Sequence, residues 1–551
     1  MVGNFIRNPF GEIIAEDWIN SHDENRIGFV IGKSNPQAFE LSAGKSSIII
    51  GRKGSGKTTL LHMMKNNKGI VNCEIDIGRE FSSVANILKI NEKGEYTEPS
   101  SDLWKRVIWN NIIIHVIDMY REDITLNKVD KNKILQKYAN NIFDSTEENN
   151  KNTLSRFADF VSGKVSGGLT GLGAALASAS LDRTRNIEEA KNILFDYLRN
   201  NNIKVRVFID TKESYRVGVN SVSSDCLRGL IHCASGIHRE FELIECFMFF
   251  PDELTQYFKN YISHSNLKDF RDAIYLRWNT ADLICMMALR LQDNVFSKFG
   301  IDENRDLNFH SVEVSQKFLQ KILPPTLSTK SGVSVETLTF IMAHTQYTPR
   351  HVLIFLNSLL SKSFEITETG TLSINALSKE DKYYCSDIFN SCVSRIFDDI
   401  IATYRDIYPD AKNLISEIVP RISFVCTDDD LRKIYQNLVE AEISSIEYGK
   451  LKEMLSDIGV LGLVMNKQGS GVLGHFSFIS DESIVLSASY EFCVHPIFSA
   501  IFPPISQDDE EIDAVMVHPH GAHVHFRPPE PAALAARTSW KSVSHPPGIR
   551  R

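Results

Sequence analysis

The sequence predicts an α/β chain: a mainly parallel sheet with a helical insertion, followed by a helical lid and a winged-helix domain. Three observations predict it. Short apolar runs alternate with helical periodicity from Ser46 to Trp278, helical periodicity takes over after Trp278, and the order helix, helix, strand, turn, strand occupies Asp428 to Ile479. Strands that alternate with helices form parallel sheets covered on both faces, which is why such strands read as unbroken apolar runs.

Length and composition set the scale. At 551 residues the chain exceeds one ordinary core, so two or three domains of about 100 to 250 residues are expected. Hydrophobic residues make up 43% and charged residues 23%, the mixture of a globular protein. A net charge of −9 argues against a surface that tracks nucleic acid throughout, while a local basic patch stays open. The nine cysteines include no CxxC pair, so they read as reduced thiols and not as a disulfide frame or zinc site. No apolar run follows Met1 to Gly11, so no secretory signal is read and a cytoplasmic location is expected.

The first strand is Ser46 to Ile50, ending in Gly51, and a helix face follows with Leu60, Leu61 and Met64. Val205 to Asp210 is a second strand, preceded by a helical pattern over Ile187 to Leu198; Leu243 to Phe250 and Ala273 to Trp278 read as two more. The long interval between the first two strands implies an insertion, placed at about 95–200. Within it, Trp104, Ile108 and Ile112 mark an amphipathic helix over Ser101 to Asp123. The uncharged stretch Val165 to Leu181, which contains Gly167 and Gly171, is short for a membrane span and reads as a loop or soluble hairpin.

Helices are expected over Thr280 to Lys298, Val312 to Leu323, Val335 to His344 and Pro349 to Leu360, the last with proline in its first turn. Asp428 to Glu440 and Ser445 to Asp457 are the helices of the winged unit, with strands Leu461 to Met465 and Leu473 to Ile479 joined through Gly469, Ser470 and Gly471. The domains are thus a core over 1–279, a lid over 280–375, a helical and winged-helix domain over 376–505 and a disordered tail over 506–551. From Ala514 onward the tail holds six of the eighteen prolines and five of the sixteen histidines, with no Asn. Disorder follows from that shift. His518, His520, His523 and His525 then read as solvated side chains.

The chemistry is concentrated in GRKGSGKT, Gly51 to Thr58, which fits GxxxxGK[ST] and lies between a strand and a helix. Such a loop points successive amides of Gly51, Arg52, Lys53, Gly54, Ser55, Gly56, Lys57, Thr58 and Thr59 at the phosphates of ATP. Lys57 reaches the terminal phosphates and the Thr58 hydroxyl is placed for Mg2+. At the end of the second strand, FIDTKE puts Asp210 where it orients a magnesium-bound water, and Glu213 three residues on. Glu213 is either the group that aligns the attacking water and takes its proton, or a surface residue of the turn.

The stretches NPFGEIIAEDW, IIIGRKGSGKTTLL, VFIDTKESY, IECFMFFPDEL, IYLRWNTADLICMMALRL and TPRHVLIFLNSLL, spread over Asn8 to Phe502, resemble a bacterial branch of AAA+ and STAND P-loop ATPases. That branch includes origin-recognition-type ATPases of mobile or defence-related loci. The resemblance implies a nucleotide-controlled switch in which a lid and winged helix turn on the ATPase core. It implies that Arg350 contacts the γ-phosphate; an exposed helix-start arginine is the other reading. Arg271 and Arg277 match either arginine fingers acting in trans, which requires oligomers, or structural residues. Thr211 and Lys212 depart from relatives with glycine or a second acid in this turn, which bears on the hydrolysis rate.

Three functions follow. The first is a signalling or assembly ATPase, with a role in bacterial defence, partnered by a second copy or a protein effector. The second is a DNA-binding initiator or loader. Against it, the expected recognition helix balances Lys450 and Lys452 with Glu447 and Glu453. The third is a membrane-associated, KAP-like P-loop protein, for which Val165 to Leu181 is the relevant stretch; a membrane partner is not expected.

Overall fold

The computed structural model describes residues 4–21, 48–65, 69–77, 97–120, 191–211, 221–254, 273–299, 307–328, 334–368, 371–374, 381–443, 445–468, 471–479, 484–505 and 516–521. Two short elements, β1 (Asn4–Phe5) and α1 (Ala15–Ser21), precede the core. The core follows as β2 (Ile48–Gly51), α2 (Lys57–Lys65), β3 (Ile70–Asp76), α3 (Thr97–Met119), β4 (Lys204–Asp210), α4 (Ser221–Glu240), β5 (Ile244–Pro251) and β6 (Ile274–Tyr275). These strands form one parallel sheet in the order β3-β4-β5-β2-β6. This is the P-loop NTPase sheet that the sequence predicts, with the phosphate-loop strand inside it.

Alternation along each strand sorts the side chains onto two faces. Val205, Val207 and Ile209 pack with Trp104, Ile108 and Ile112 of α3, while Phe208, Phe247 and Phe249 pack with Leu60, Leu61 and Met64 of α2. One strand was not expected: β3 lies in the sequence between the first two strands read, ahead of the insertion placed at about 95–200, and it pairs with β4 at the edge of the sheet. Val71, Cys73 and Ile75 are buried, whereas Glu74 is exposed and Asn72 half-buried, so β3 alternates as an edge strand does and lacks the apolar run of a central one. Val165 to Leu181 lies outside the described residues; among those described, no helix is long and apolar enough to cross a membrane.

The lid contains α5 (Thr280–Leu291), which continues into a π-helical turn at Gln292–Phe296, then α6 (Val312–Gln320), the hairpin β7 (Thr326–Ser328) and β8 (Ser334–Glu336), α7 (Thr337–Ala343) and α8 (Pro349–Leu359). The helix expected from Val335 starts at Thr337 because Ser334–Glu336 pairs in that hairpin. Thr348 caps α8, accepting from the His351 amide, with Pro349 in the first turn. Two further strands, β9 (Phe364–Ile366) and β10 (Leu372–Ile374), form a small sheet with β1, so the N-terminus is strapped to the lid.

The last part runs through α9 (Asp381–Tyr404), α10 (Ala411–Ile418), β11 (Val425–Cys426), α11 (Asp428–Glu440), α12 (Tyr448–Asp457), β12 (Leu461–Gln468), β13 (Gly471–His475), β14 (Phe492–Val494) and α13 (Pro496–Ile501). Two helices and a hairpin stand in the winged-helix order. A capping box between Thr427 and Asp430 starts α11, and α12 buries Leu451 and Leu455 while Tyr448 is half-buried. Lid and winged unit share one continuous apolar core, in which Leu353 and Phe355 of α8 belong with Ile396 of α9, Leu455 of α12 and Phe498 of α13.

The expectation of a disordered 506–551 fails for residues 516–521. A final strand, β15 (Met516–Pro519), adds to β13 in parallel and buries Val517. The Tyr347 hydroxyl donates to the carbonyls of Pro519 and His520, each at 3.1 Å, and the Thr280 hydroxyl to that of Gly521. Edge pairing uses backbone groups, so a strand this short needs no apolar periodicity. His523 and His525 lie outside the described residues. Truncation after Ile505 is therefore expected to lower the melting temperature, since burying one valine contributes about 1.5–3 kcal/mol; an unchanged thermal scan would show that the strand contributes nothing.

Candidate functional site

Strand β2 delivers Gly51 into the loop and α2 begins at Lys57. Gly54 and Gly56 have φ of 78° and 96°, which side chains rarely adopt. The loop is closed by its own bonds: Ser55 N donates to Arg52 O at 3.0 Å, and the Lys57 ammonium donates to the carbonyls of Gly51 at 2.7 Å and Arg52 at 3.0 Å. The Trp278 indole fixes it from the core side, donating to Ser55 O at 2.7 Å.

A cavity of about 240 Å³ opens over the loop. Gly54, Gly56, Lys57, Thr58, Thr59 and Asp210 line it, and so does Arg350 from α8. Register explains the convergence, because Gly51 pairs with Pro251 and Asp210 with Phe249: β2 and β5 end level, and β4 ends two residues short of them at the same end of the parallel sheet. Thr211 also lines the cavity, but its hydroxyl donates to Phe249 O at 2.5 Å, so it is a sheet-bonded residue there. Glu213, Lys212 and Arg271 lie outside the described residues. For Mg2+ the fit is a hard-oxygen one: Thr58, with a hydroxyl, and Asp210, with a carboxylate, line the same cavity. Magnesium is commonly held by few protein oxygens together with phosphate and water. Among the described residues no group of three or more metal-ligating side chains occurs.

The lid meets the loop directly. Arg350 N donates to Gly54 O at 3.4 Å, and a Cβ built on Gly54 would stand 2.7 Å from Arg350 Cβ. The Arg350 guanidinium lies 3.4 Å from both Asp399 oxygens, and Lys53 Nζ is 3.5 Å from the same carboxylate. His351 approaches Asp399 at 3.9 Å, but burial pushes its imidazole down to about 4, so it is neutral at pH 7 and adds no ion pair. Arg350→Ala is expected to weaken ATP affinity about tenfold or more, the value of one hydrogen bond to a charged group; a titration showing wild-type affinity would remove Arg350 from the site.

Sequence reasoning missed the rest of the lining: Ile13, Trp18, Met286, Leu353 and Arg290, drawn from the N-terminal segment and two lid helices, also line the cavity. The motif around Asn8 was visible, but not its use. Here Phe10 N donates to Asn357 Oδ1, Asn357 Nδ2 donates to Gly11 O, and Asn294 Nδ2 to Asn8 O, all at 2.9 Å, pinning the segment to the lid. Arg290 lies over the Trp18 ring at 4.0 Å; burial pushes its guanidinium down to about 9, against the pull of Glu12.

Two expected loop residues turn elsewhere. The side chains of Arg52 and Lys53 do not line the cavity. Lys53 N donates to Glu253 Oε1 at 2.9 Å, and the buried Arg52 bonds to the lid and the winged unit. Burial alone would lower the Arg52 guanidinium, but Tyr404 and the carboxylates of Asp252, Glu253 and Asp457 outweigh it. Arg277 is bonded within its own chain, 2.8 Å from Asp252. On the winged unit, Lys452 donates to Asp428 at 2.8 Å and Lys467 pairs with Glu491 at 2.8 Å, leaving their charges partly neutralised.

No family model matches the chain, and no curated protein does. Among solved structures, the ORC2 protein of Aeropyrum pernix in its ADPNP–ADP complexes is similar over 86% of this chain and 91% of its own, at 11% identity and a TM-score of 0.35. Cdc6p of Pyrobaculum aerophilum is similar over 91% of this chain and 97% of its own, at 10% identity and a TM-score of 0.27.

Proposed function

We propose that this chain binds ATP with Mg2+ at Gly51 to Thr59 and hydrolyses it, as a conformational switch whose lid and winged-helix body responds to the nucleotide. One observation carries the reading. The phosphate loop, the β4 carboxylate Asp210 and the lid's Arg350 meet at a single cavity. In this reading the loop amides and Lys57 hold the phosphates, Thr58 and Asp210 hold Mg2+, and Arg350 senses the γ-phosphate. The apolar wall with Trp18 takes the base. Bound Mg2+ supplies charge neutralisation on the phosphate oxygens. Glu213 is proposed to align the attacking water. ATP binding by calorimetry, with phosphate release and mass measured with and without ATP, tests the switch and its self-association.

A second reading, a DNA-binding initiator or loader, is favoured by the winged-helix unit at the end of the same chain. The partnered state of Lys452 and Lys467 favours a protein effector for that unit. A gel shift over a salt series separates the two, because phosphate contacts give binding that falls steeply with salt.

A further inference from the structure

We propose that Arg52, the second residue of the phosphate loop, is a positioning residue that couples ATP affinity to docking of the lid and winged-helix body. The proposal rests on the nucleotide reading above and gives the loop a second partner on its outer side.

The residue has two ends. Its carbonyl belongs to the loop, accepting from Ser55 N and from Lys57. Its side chain is buried among three parts of the molecule. One guanidinium nitrogen donates to Gln346 Oε1 of the lid at 3.0 Å; the other donates to Asp457 O at 3.1 Å and Ser477 Oγ at 3.2 Å, both in the winged unit. Nε lies 3.7 Å from the Asp252 carboxylate of the core. Only a planar fork with several fixed donors reaches three such acceptors at once.

The receiving end is built for it. Asp457 is the last residue of α12, where helix carbonyls have no intrahelical partner and carry partial negative charge. The Tyr404 hydroxyl donates to Asp457 O at 2.8 Å, Gln346 Nε2 to Ile458 O at 2.7 Å and Ser477 Oγ to Ser456 O at 2.7 Å. Arg52 completes this set. A buried guanidinium is tolerated because these groups surround it, so undocking exposes both the arginine and the helix end. The same body carries Arg350, Met286, Arg290 and Leu353 to the cavity. Holding the body down therefore holds those residues against the nucleotide, and by reciprocity bound ATP strengthens docking.

The test uses the full chain and the variants Arg52→Lys, Ser477→Ala and the double. Arg52→Lys keeps a charge beside Asp252 but loses the fork; Ser477→Ala changes no loop residue but removes an acceptor of the Arg52 guanidinium, and Ser477 lines no part of the cavity. ATP affinity is measured by calorimetry, and amide hydrogen exchange is followed at residues 456–460 with and without ATP. Each single variant is expected to weaken ATP binding within the range of about 5- to 150-fold typical of coupled sites. The double should be no weaker than Arg52→Lys alone, and the slowing of exchange that ATP causes in the wild type should vanish. Wild-type affinity in folded Ser477→Ala, or ATP-dependent exchange retained in either single variant, overturns the coupling. Should Arg52→Lys fail to fold, Ser477→Ala decides alone. A wild-type chain that binds no ATP overturns the site reading itself, whereas one that binds ATP as tightly as its variants overturns only the role of Arg52.

Discussion

Lys57→Ala is expected to abolish measurable ATP binding and leave the fold in place. The ammonium sits within the loop, bonded to the carbonyls of Gly51 and Arg52, so it is already held where phosphate charge arrives. A unit charge pair about 4 Å apart at an effective dielectric near 20 is worth about 4 kcal/mol, or about a thousandfold in affinity. The fold does not depend on the side chain. The buried face of α2 is Thr59, Leu60, Leu61 and Met64, and alanine is the best helix former. Calorimetry for binding and circular dichroism for folding check the two halves. Retained affinity in a folded variant would refute the loop's assignment.

How far this site was legible from sequence depends on how its parts are spaced. The phosphate loop is contiguous because one turn must supply glycines, a lysine and a hydroxyl within eight residues, and it lies between β2 and α2. Asp210 was singled out because an apolar run ends on it, whereas Arg350 was singled out only by the resemblance, Pro349 marking no more than the start of its helix; both line the cavity. The rest of the lining was not legible, since Trp18, Met286 and Leu353 are far apart in the chain and belong to no one contiguous motif. β3 carried its signal as alternation, with Val71, Cys73 and Ile75 on one face, but Asn72 and Glu74 interrupt the continuous run expected of a parallel strand. β15 carried almost none: backbone pairing with β13 holds it, and composition does not report backbone pairing. The outward role of Arg52 had no local signal, because the positions between the loop's first and sixth residues are free in the motif and its acceptors at Gln346, Asp457 and Ser477 lie hundreds of residues away.

Asp210→Asn is expected to lower ATP turnover about a hundredfold or more while ATP binding without Mg2+ stays near the wild-type value, because a metal's charge stabilisation is worth several kcal/mol. The carboxylate is the last residue of β4, buried, and shares the cavity with Thr58. Its place is set by the sheet, paired with Asp76 on one side and Phe249 on the other, so asparagine of the same size keeps the register and removes only the charge. That separates metal binding from packing. Nucleotide affinity measured with and without Mg2+ should lose its metal dependence in the variant, and single-turnover hydrolysis should slow in parallel with steady-state turnover. Were turnover unchanged, Asp210 would be a strand-end residue, and the metal would be held by Thr58 and the phosphates with a carboxylate from elsewhere, for which Glu213 is the next residue to test.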